Sequence, residues 1–243
     1  MTLPLLLRWL RRAIQLFLIA SAIGLAVIVL QPPPQDLPWT PLKLDEPIGL
    51  FTGAKIARLT TDRSSCMDLL HTSGVSFEEV PPRGEDQCRV EDAVRFDSDR
   101  ALLSLRPASV TPSCPVAIGL IAWQTQVVQP AALALLGMSV KRIEHLGSYA
   151  CRRLYSRADA PWSEHATSDA IDVGAFILSD GSRISVLDDW DDAGDKGAFL
   201  RAVRDGGCGV FATVLSPDYN AAHTDHLHLD QANRGSMGWR ACR

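Results

Sequence analysis

The chain lacks an excess of basic charge, a CxxC cysteine pair and any internal repeat. Its 24 lysine and arginine residues are outnumbered by 28 acidic ones, whereas nucleic-acid-binding domains usually show a basic patch. This balance argues against a nucleic-acid partner. Without a CxxC pair, a structural zinc site built on cysteine is not expected. Apolar residues make up 47% of the 243 residues. This fraction suffices for one good-sized domain with a proper core.

The first thirty residues differ in composition from the rest. Residues 13–30 are almost entirely apolar, and three arginines, Arg8, Arg11 and Arg12, lie just before them. A helix of this length, at about 1.5 Å per residue, is just long enough to cross a bilayer core. Positive charge on this flank keeps the N-terminus in the cytoplasm. A cleaved signal peptide is the alternative, but no small-x-small cleavage site follows. We therefore predict an uncleaved single-pass anchor over residues 1–30, in the inner membrane, with the C-terminal domain in the periplasm.

A proline-rich segment, residues 31–48, follows the apolar run. It contains six prolines, a composition that favours an extended, semi-rigid spacer. We therefore divide the chain into an anchor, this linker and a folded domain over residues 49–243. The anchor contains basic but no acidic side chains, so the exported part is mildly acidic. We do not expect it to bind an anionic surface by charge alone.

All six cysteines lie after the anchor, and their number is even. In an oxidising compartment such a set predicts three disulfides. Many pairings are possible, and the sequence does not choose between them. Proximity along the chain favours Cys66–Cys88, Cys114–Cys151 and Cys208–Cys242. Free buried thiols are the alternative, if the domain were cytoplasmic.

The apolar pattern predicts a mixture of helices and strands. Helices are expected over residues 55–70, 114–136 with a break at Pro130, and 196–204. Strands are expected over residues 140–147, 170–178, 183–187, 210–215 and 226–229, with short strands and turns over 75–103. Helices and strands do not alternate strictly, so the predicted class is α+β, with a mainly antiparallel sheet and flanking helices.

Four of the six histidines lie in two short segments, residues 163–172 and 223–228. If the second segment enters a strand, His226 and His228 point to the same face. Their Cα atoms are then about 7 Å apart. This separation is wide for two ligands of one ion, so one should bind a metal and the other should lie beside it.

A carboxylate and a third histidine complete the predicted site. Asp172 is expected at the start of a strand, seven residues after His165. Strand pairing could bring Asp172 to His228, while His165 reaches over from its loop. Two imidazoles and a carboxylate suit a divalent metal with one position left open.

These residues resemble those of known families. The pattern Ser163-x-His165-x-x-x-x-Ala170-x-Asp172, followed by His226-x-His228, is similar to that of zinc peptidases that cut bacterial cell-wall peptides. These are the D-Ala-D-Ala carboxypeptidase, dipeptidase and murein endopeptidase group, whose fold also occurs in the hedgehog signalling domain. The closer resemblance, over roughly residues 40–243, is to bacterial extensin-like C-terminal domain proteins. The segments that match this family occur in order along the chain, at residues 148–152, 163–166, 190, 199–200, 214–220 and 223–230.

The resemblance implies a zinc-peptidase core and a role for each matching residue. The implied zinc ligands are His165, Asp172 and His228, with water in the fourth position. The implied catalytic residues are His226, Asp225 and His223, and either Asp225 or His226 could be the general base. The implied substrate-binding residues are Ser163 and Arg152, with Arg153 as an alternative to Arg152. Family members usually have glycine where Ser168 stands, so the turn geometry at this position departs from the pattern.

The resemblance predicts a membrane-anchored periplasmic zinc-dependent hydrolase that acts on peptidoglycan peptides, as a metallopeptidase of the DD- or LD-peptidase type. A non-catalytic zinc-containing module that binds a cell-wall component is the alternative. Asp225 and His226 beside the metal favour the enzyme, because a purely structural zinc normally has four protein ligands. An Fe(II) site fits the same ligand set but suits an oxidising compartment poorly.

Overall fold

A computed structural model describes residues 3–97, 104–235 and 240–243. The predicted short strands and turns over 75–103 therefore lie partly, at 98–103, outside the described residues. The helices are α1 Leu3–Leu30, α2 Thr52–Arg58, α3 Arg63–Thr72, α4 Cys114–Trp123, α5 Gln129–Leu136, α6 Val186–Asp189 and α7 Asp195–Gly207. The strands are β1 Phe77–Glu79, β2 Val94–Phe96, β3 Leu105–Arg106, β4 Val140–Gly147, β5 Ala170–Leu178, β6 Arg183–Ser185, β7 Thr213–Leu215, β8 Leu227–Asp230 and β9 Ala241–Cys242.

One mixed sheet of seven strands organises the domain. Its order is β3-β4-β5-β8-β7-β9, with β6 also paired to β5. The pairings at the centre are antiparallel, whereas the two-residue strands β3 and β9 pair in parallel at the edges. The predicted α+β class is confirmed. The sheet itself is mixed, because its short edge strands run parallel to their neighbours.

The core lies between this sheet and a helix that is buried on all sides. Every residue of α4 is buried, and its Trp123 packs against Phe176 of β5 at a ring-centroid distance of 5.8 Å. The Trp123 indole donates a 2.8 Å hydrogen bond to the Val203 carbonyl of α7. A helix that is apolar all round is typical of a protein interior. The segment Cys114–Leu136 is therefore a core element, although its length and hydropathy would let it cross a membrane.

Two predicted helices differ from the sequence expectation. The predicted break at Pro130 is wrong, because a π-helical turn over Gln124–Val128 joins α4 to α5 without interruption. Proline cannot donate to the preceding turn and crowds its carbonyl, and a π-turn relieves both problems. The predicted helix over 55–70 is in fact two helices. Asp62 separates them and caps α3 by accepting a 3.1 Å hydrogen bond from the Ser65 amide.

The proline-rich segment is packed onto the domain, so the prediction of an extended spacer is wrong. The Lys55 ammonium is buried and donates to the Pro34 carbonyl at 3.0 Å and to Gln35 Oε1 at 3.2 Å. Gln126 donates to the carbonyls of Leu44 and Glu46. Leu42, Leu44 and Ile48 pack against the core. The folded part of the chain therefore begins at Pro34, directly after the apolar helix α1.

The six cysteines form three disulfides, Cys66–Cys114, Cys88–Cys151 and Cys208–Cys242. Only Cys208–Cys242 was predicted, and the other two predicted pairings are wrong. Pairing the cysteines by proximity along the chain fails because Cys66 of α3 packs beside Cys114 at the start of α4. The bonds indicate a domain outside the cytoplasm. The helix α1 has the length and hydropathy of a membrane anchor or a signal sequence.

We expect removal of the Cys66–Cys114 bond to destabilise the domain strongly. The bond closes a sequence separation of 48 residues, and both cysteines are fully buried in the core. The double variant Cys66→Ala/Cys114→Ala should lose about 2–5 kcal/mol of unfolding free energy, measured by urea denaturation. The matched control is Cys208→Ala/Cys242→Ala, which removes a less buried bond between the end of α7 and the edge strand β9. An equal or larger loss in this control would contradict the central position assigned to Cys66–Cys114.

Candidate metal centre

Strand register places a carboxylate and an imidazole opposite each other in the sheet. Asp172 of β5 pairs with His228 of β8, and Asp172 Oδ1 lies 2.9 Å from His228 Nδ1. His165 comes from the 3-10 turn Glu164–Thr167 just before β5. Its Nε2 lies 3.2 Å from Asp172 Oδ2 and 3.2 Å from His228 Nδ1. The structure thus brings together the three predicted ligands. Whether they bind zinc remains a prediction.

The spacing of these three donor groups fits a single small ion. In a tetrahedral site with bonds of about 2.0–2.2 Å, two ligand atoms are roughly 3.3 Å apart. The two imidazole nitrogens are 3.2 Å apart, His228 Nδ1 is 2.9 Å from Asp172 Oδ1, and His165 Nε2 is 3.2 Å from the other oxygen, Oδ2. One ligand atom from each residue lies within 4.8 Å of the other two. Two imidazoles and a carboxylate are also the donor types that zinc prefers. The residues present therefore fit a divalent metal that keeps one position open.

Hydrogen bonds behind the ligands fix the orientation of both imidazoles. His165 Nδ1 donates to the Ser148 carbonyl at 3.0 Å, which leaves Nε2 to face Asp172. His228 Nε2 donates to Asp230 Oδ2 at 3.1 Å, which leaves Nδ1 to face the same carboxylate. Metal-binding histidines commonly have such a partner on the other ring nitrogen. Both rings are therefore held with the free nitrogen towards the centre.

Asp230 is a supporting residue outside the predicted site. Its Oδ1 caps the end of β8 by accepting a 2.9 Å hydrogen bond from the Ala232 amide. Its other oxygen supports His228. The spacing His228-x-Asp230 places both side chains on one face of β8 and could have indicated this contact.

The charges of Asp172 and His228 stabilise each other. Burial works against both charged forms, but hydrogen bonds from His165 and His228 outweigh it and hold the pKa of Asp172 well below its ordinary value. For His228, burial is outweighed by hydrogen bonds to Asp172 and Asp230, which raise its pKa to about 9. The centre therefore attracts a positive charge, which a proton or a metal ion can supply.

Two further acidic side chains, Glu164 and Asp169, are partly buried and have raised pKa values. Burial, together with the charges of Asp230 and Asp169, raises the pKa of Glu164 to about 7. Burial is also the main reason why the pKa of Asp169 rises to about 6. Burial is thus the main reason why these carboxyls hold protons, and the neighbouring acidic groups add to it. A cation bound nearby would lower both pKa values, because it favours the charged carboxylates.

His226 and Asp225 form a pair beside the three ligands. His226 Nδ1 donates to Asp225 Oδ1 at 2.7 Å, and its Nε2 lies 3.5 Å from Asp172 Oδ1. The prediction that His226 and His228 share one face is consistent with these contacts, since both rings approach Asp172. Asp225 lies behind the His226 ring and is half exposed. Of the two predicted bases, His226 is the one that faces the centre.

His223 lies next to the His226–Asp225 pair, and a hydrogen bond to Asn220 holds its ring in place. Its ring centroid is 5.2 Å from that of His226 and 5.9 Å from that of His228. Its Nδ1 donates to Asn220 Oδ1 at 2.8 Å, and Asn220 Nδ2 donates to the Tyr155 hydroxyl at 3.3 Å. Burial and the neighbouring histidines lower the pKa of His223 to about 4. It is therefore neutral at pH 7, and its Nε2 is an acceptor.

The predicted substrate-binding residues lie on the loop that precedes the site. The Ser163 hydroxyl is buried and accepts a hydrogen bond from the His165 amide, so the structure uses it to cap the 3-10 turn. Arg152 is exposed, and its carbonyl accepts from the Ser163 amide. Arg153 stacks on Trp162 with its guanidinium carbon 4.6 Å from the ring centroid. Arg152 is thus the freer of the two arginines.

Ser168 occupies a backbone conformation that favours glycine. Its φ is 60°, in the left-handed region, directly after the turn that carries His165. Glycine adopts this conformation most readily, which is a physical reason for the glycine that the resemblance implies here. In this chain the Ser168 hydroxyl accepts a 3.1 Å hydrogen bond from Arg83, so the serine adds a contact that glycine lacks. His165, Asp172 and His228 come together with serine at this position.

We expect Ser168→Gly to be nearly neutral. The change relieves about 1–2 kcal/mol of left-handed strain and removes a hydrogen bond worth about 1.5–3 kcal/mol, because its donor is charged. The unfolding free energy should therefore change by no more than about 1–2 kcal/mol. Zinc content should not change. Loss of metal in this variant, measured by elemental analysis, would show that the serine takes part in the centre.

We expect Asp230→Ala to weaken metal binding by about 10–100-fold, because the His228 ring loses the partner that orients it. The measurement is competition with a chelating dye. Asp188→Ala, at an exposed acid away from the site, is the matched control. Unchanged affinity in the Asp230 variant would contradict the supporting role.

One family model matches most of the chain. The family model for the extensin-like protein C-terminus matches residues 64–243. Searches of curated proteins and of solved structures found no match. The matched range contains the three candidate ligands, the His226–Asp225 pair and all six cysteines. Since the match covers well over half of the chain, the chain belongs to the extensin-like C-terminal family.

Proposed function

We propose that this chain is a membrane-anchored, zinc-dependent hydrolase that acts on peptidoglycan peptides in the periplasm. The observation that carries the proposal is the set of 2.9–3.2 Å separations between His165, Asp172 and His228, with an imidazole beside them. The motif resemblance to zinc peptidases of the bacterial cell wall supports the choice of substrate. The disulfides and the apolar helix α1 support the location.

Three protein ligands favour catalysis over a structural role, because they leave a position for water or substrate. Zinc held by His165 Nε2, His228 Nδ1 and Asp172 would supply a water of near-neutral pKa and polarise a peptide carbonyl. Asp172, His226 and His228 each keep part of their side chain exposed. A substrate can therefore approach the centre from solvent.

His226 is the best-placed group to move the proton. Asp225 holds the hydrogen of the ring on Nδ1, so that Nε2 faces the centre as a base. A base in this place takes a proton from the attacking water and returns it to the departing amine. Asp225 orients the ring and stabilises the imidazolium that forms. His223 is neutral, and its Nε2 can accept a hydrogen bond from a substrate N–H group.

Arg152 is the candidate for recognising a peptide carboxylate. Its guanidinium is exposed, and the backbone beside it is tied to the segment that carries His165. A guanidinium presents paired donors that match both oxygens of a carboxylate. Cell-wall stem peptides carry such carboxylates at their ends. Arg152→Ala should therefore raise KM more than it lowers kcat.

The test is incubation of the purified full-length chain, in detergent, with isolated peptidoglycan and with soluble muropeptides. Products are identified by mass spectrometry, and zinc content is measured on the same sample. We expect one zinc per chain and release of peptides or amino acids that disappears with a chelator. If zinc is bound and no bond is cut, the hydrolase proposal is wrong, and the non-catalytic wall-binding module stands. If no metal is bound, both fail.

A further inference from the structure

Two large apolar side chains stand out on the surface next to the end of α1. Trp39 is 72% exposed and Leu50 is 78% exposed. Among the residues that the structure describes, no large apolar side chain outside α1 is more exposed. Arg58 is exposed and donates to the carbonyl of Pro38, the residue before Trp39. We call Trp39, Leu50 and Arg58 the proximal patch.

The proximal patch is held rigidly. Lys55 Nζ donates to Thr40 Oγ1 at 2.8 Å and to the Pro34 carbonyl at 3.0 Å, and Thr40 Oγ1 donates to that same carbonyl. The turn that carries Trp39 is thereby closed. The Leu50 amide donates to Asp36 Oδ1 at 2.7 Å, which ties Leu50 to the same turn. Both apolar side chains therefore belong to one fixed unit.

The chain between α1 and this unit is very short. α1 ends at Leu30, and the packed segment begins at Pro34. An extended chain advances at most about 3.6 Å per residue, so Pro34 lies within roughly 15 Å of the helix end. The interfacial layer on each side of a bilayer core is roughly 5–8 Å deep. With α1 in the membrane, this short connection keeps the packed segment, and the proximal patch on it, within reach of the lipid headgroup layer.

We propose that the proximal patch rests on the bilayer, with Trp39 and Leu50 entering the headgroup layer and Arg58 binding lipid phosphate. Tryptophan favours this layer because its ring is apolar and its N–H can bond to water or lipid. A guanidinium suits phosphate oxygens. The proposal rests on the membrane anchoring proposed above. It makes the bilayer a second partner of the domain and fixes the domain's orientation on the membrane.

The test is fluorescence quenching of the full-length chain in vesicles of phosphatidylethanolamine and phosphatidylglycerol. One set of vesicles contains lipids brominated near the headgroup. The Trp39 signal is the difference between the wild type and Trp39→Phe. We expect the brominated lipids to quench most of this signal and aqueous iodide to quench little. A reporter introduced by Leu50→Trp, in the Trp39→Phe background, should behave in the same way.

The matched control places the reporter at Leu187, in the Trp39→Phe background, through Leu187→Trp. Leu187 is 62% exposed and has the acidic neighbours Asp188 and Asp189. We expect iodide to quench it and brominated lipid to leave it unchanged. Extraction with alkaline carbonate tests the anchoring separately. A chain that stays in the vesicles while Trp39 is quenched only by iodide overturns the patch alone. A chain that is extracted overturns the anchoring and the patch with it.

Discussion

We expect His228→Ala to weaken zinc binding by more than about 100-fold, since even loss of a supporting residue behind a ligand costs about 10–100-fold. His228 contacts both other candidate ligands, at 2.9 Å from Asp172 and 3.2 Å from His165. Its removal also leaves Asp230, which is buried, without its imidazole partner. The measurement is zinc content after dialysis, followed by competition with a chelating dye.

The matched control for this variant is His71→Ala. His71 is exposed and pairs only loosely with Glu79, at 3.7 Å. Its removal should leave the zinc affinity unchanged. Circular dichroism on both variants separates loss of the metal from loss of the fold. A folded His228 variant that keeps its full zinc content would show that the proposed ligand set is wrong.

We expect His226→Ala to lower kcat for peptide hydrolysis by about 10²–10⁴-fold, the usual contribution of a general base. Zinc should remain bound, because His226 Nε2 is farther from Asp172 than either ligand nitrogen, at 3.5 Å. A loss of turnover with retained metal is the signature of a proton-transferring group. The readouts are product formation by mass spectrometry and zinc content of the same sample.

Asp225→Asn distinguishes the two candidate bases. If Asp225 orients His226, the amide should reduce kcat and leave zinc content and KM nearly unchanged. If Asp225 were itself the base, the Asp225 variant would be inactive while His226→Ala kept most of its turnover. That second outcome would contradict the roles derived from the 2.7 Å contact between the two side chains.

The sequence predicts those parts of the fold that depend on local pattern. The bounds predicted for β4 and β5 agree with the structure, because long apolar runs between turns determine them. The uninterrupted connection of α4 to α5 through Pro130 does not follow from the pattern. A π-turn depends on how the whole helix is buried. The pairing of Cys66 with Cys114 depends on packing between α3 and α4, which no local rule contains.

The packed proline-rich segment shows the same limit. Its composition is that of a spacer, and tertiary contacts hold it on the domain, among them the hydrogen bonds from Lys55 and Gln126 and the packing of its apolar side chains on the core. A lysine in an amphipathic helix is ordinarily solvated, so its burial against backbone oxygens could not be expected.

Most residues of the candidate site could be predicted from the sequence. Strand alternation separates His226 and His228 from Leu227 and Leu229, and strand pairing brings His228 to Asp172. Contacts made by backbone atoms could not be predicted from the sequence. The Ser148 carbonyl that orients His165 has no sequence signature. The link from His223 to Asn220 joins residues three apart in an irregular loop, where no periodicity predicts direction.

The most direct test of the metal centre is anomalous diffraction at the zinc edge, on crystals of the chain purified without added metal. We predict one peak, about 2.0–2.2 Å from His165 Nε2, His228 Nδ1 and an Asp172 oxygen. A peak held instead by Glu164 and Asp169, or no peak at a site whose side chains are ordered as described, would contradict the account.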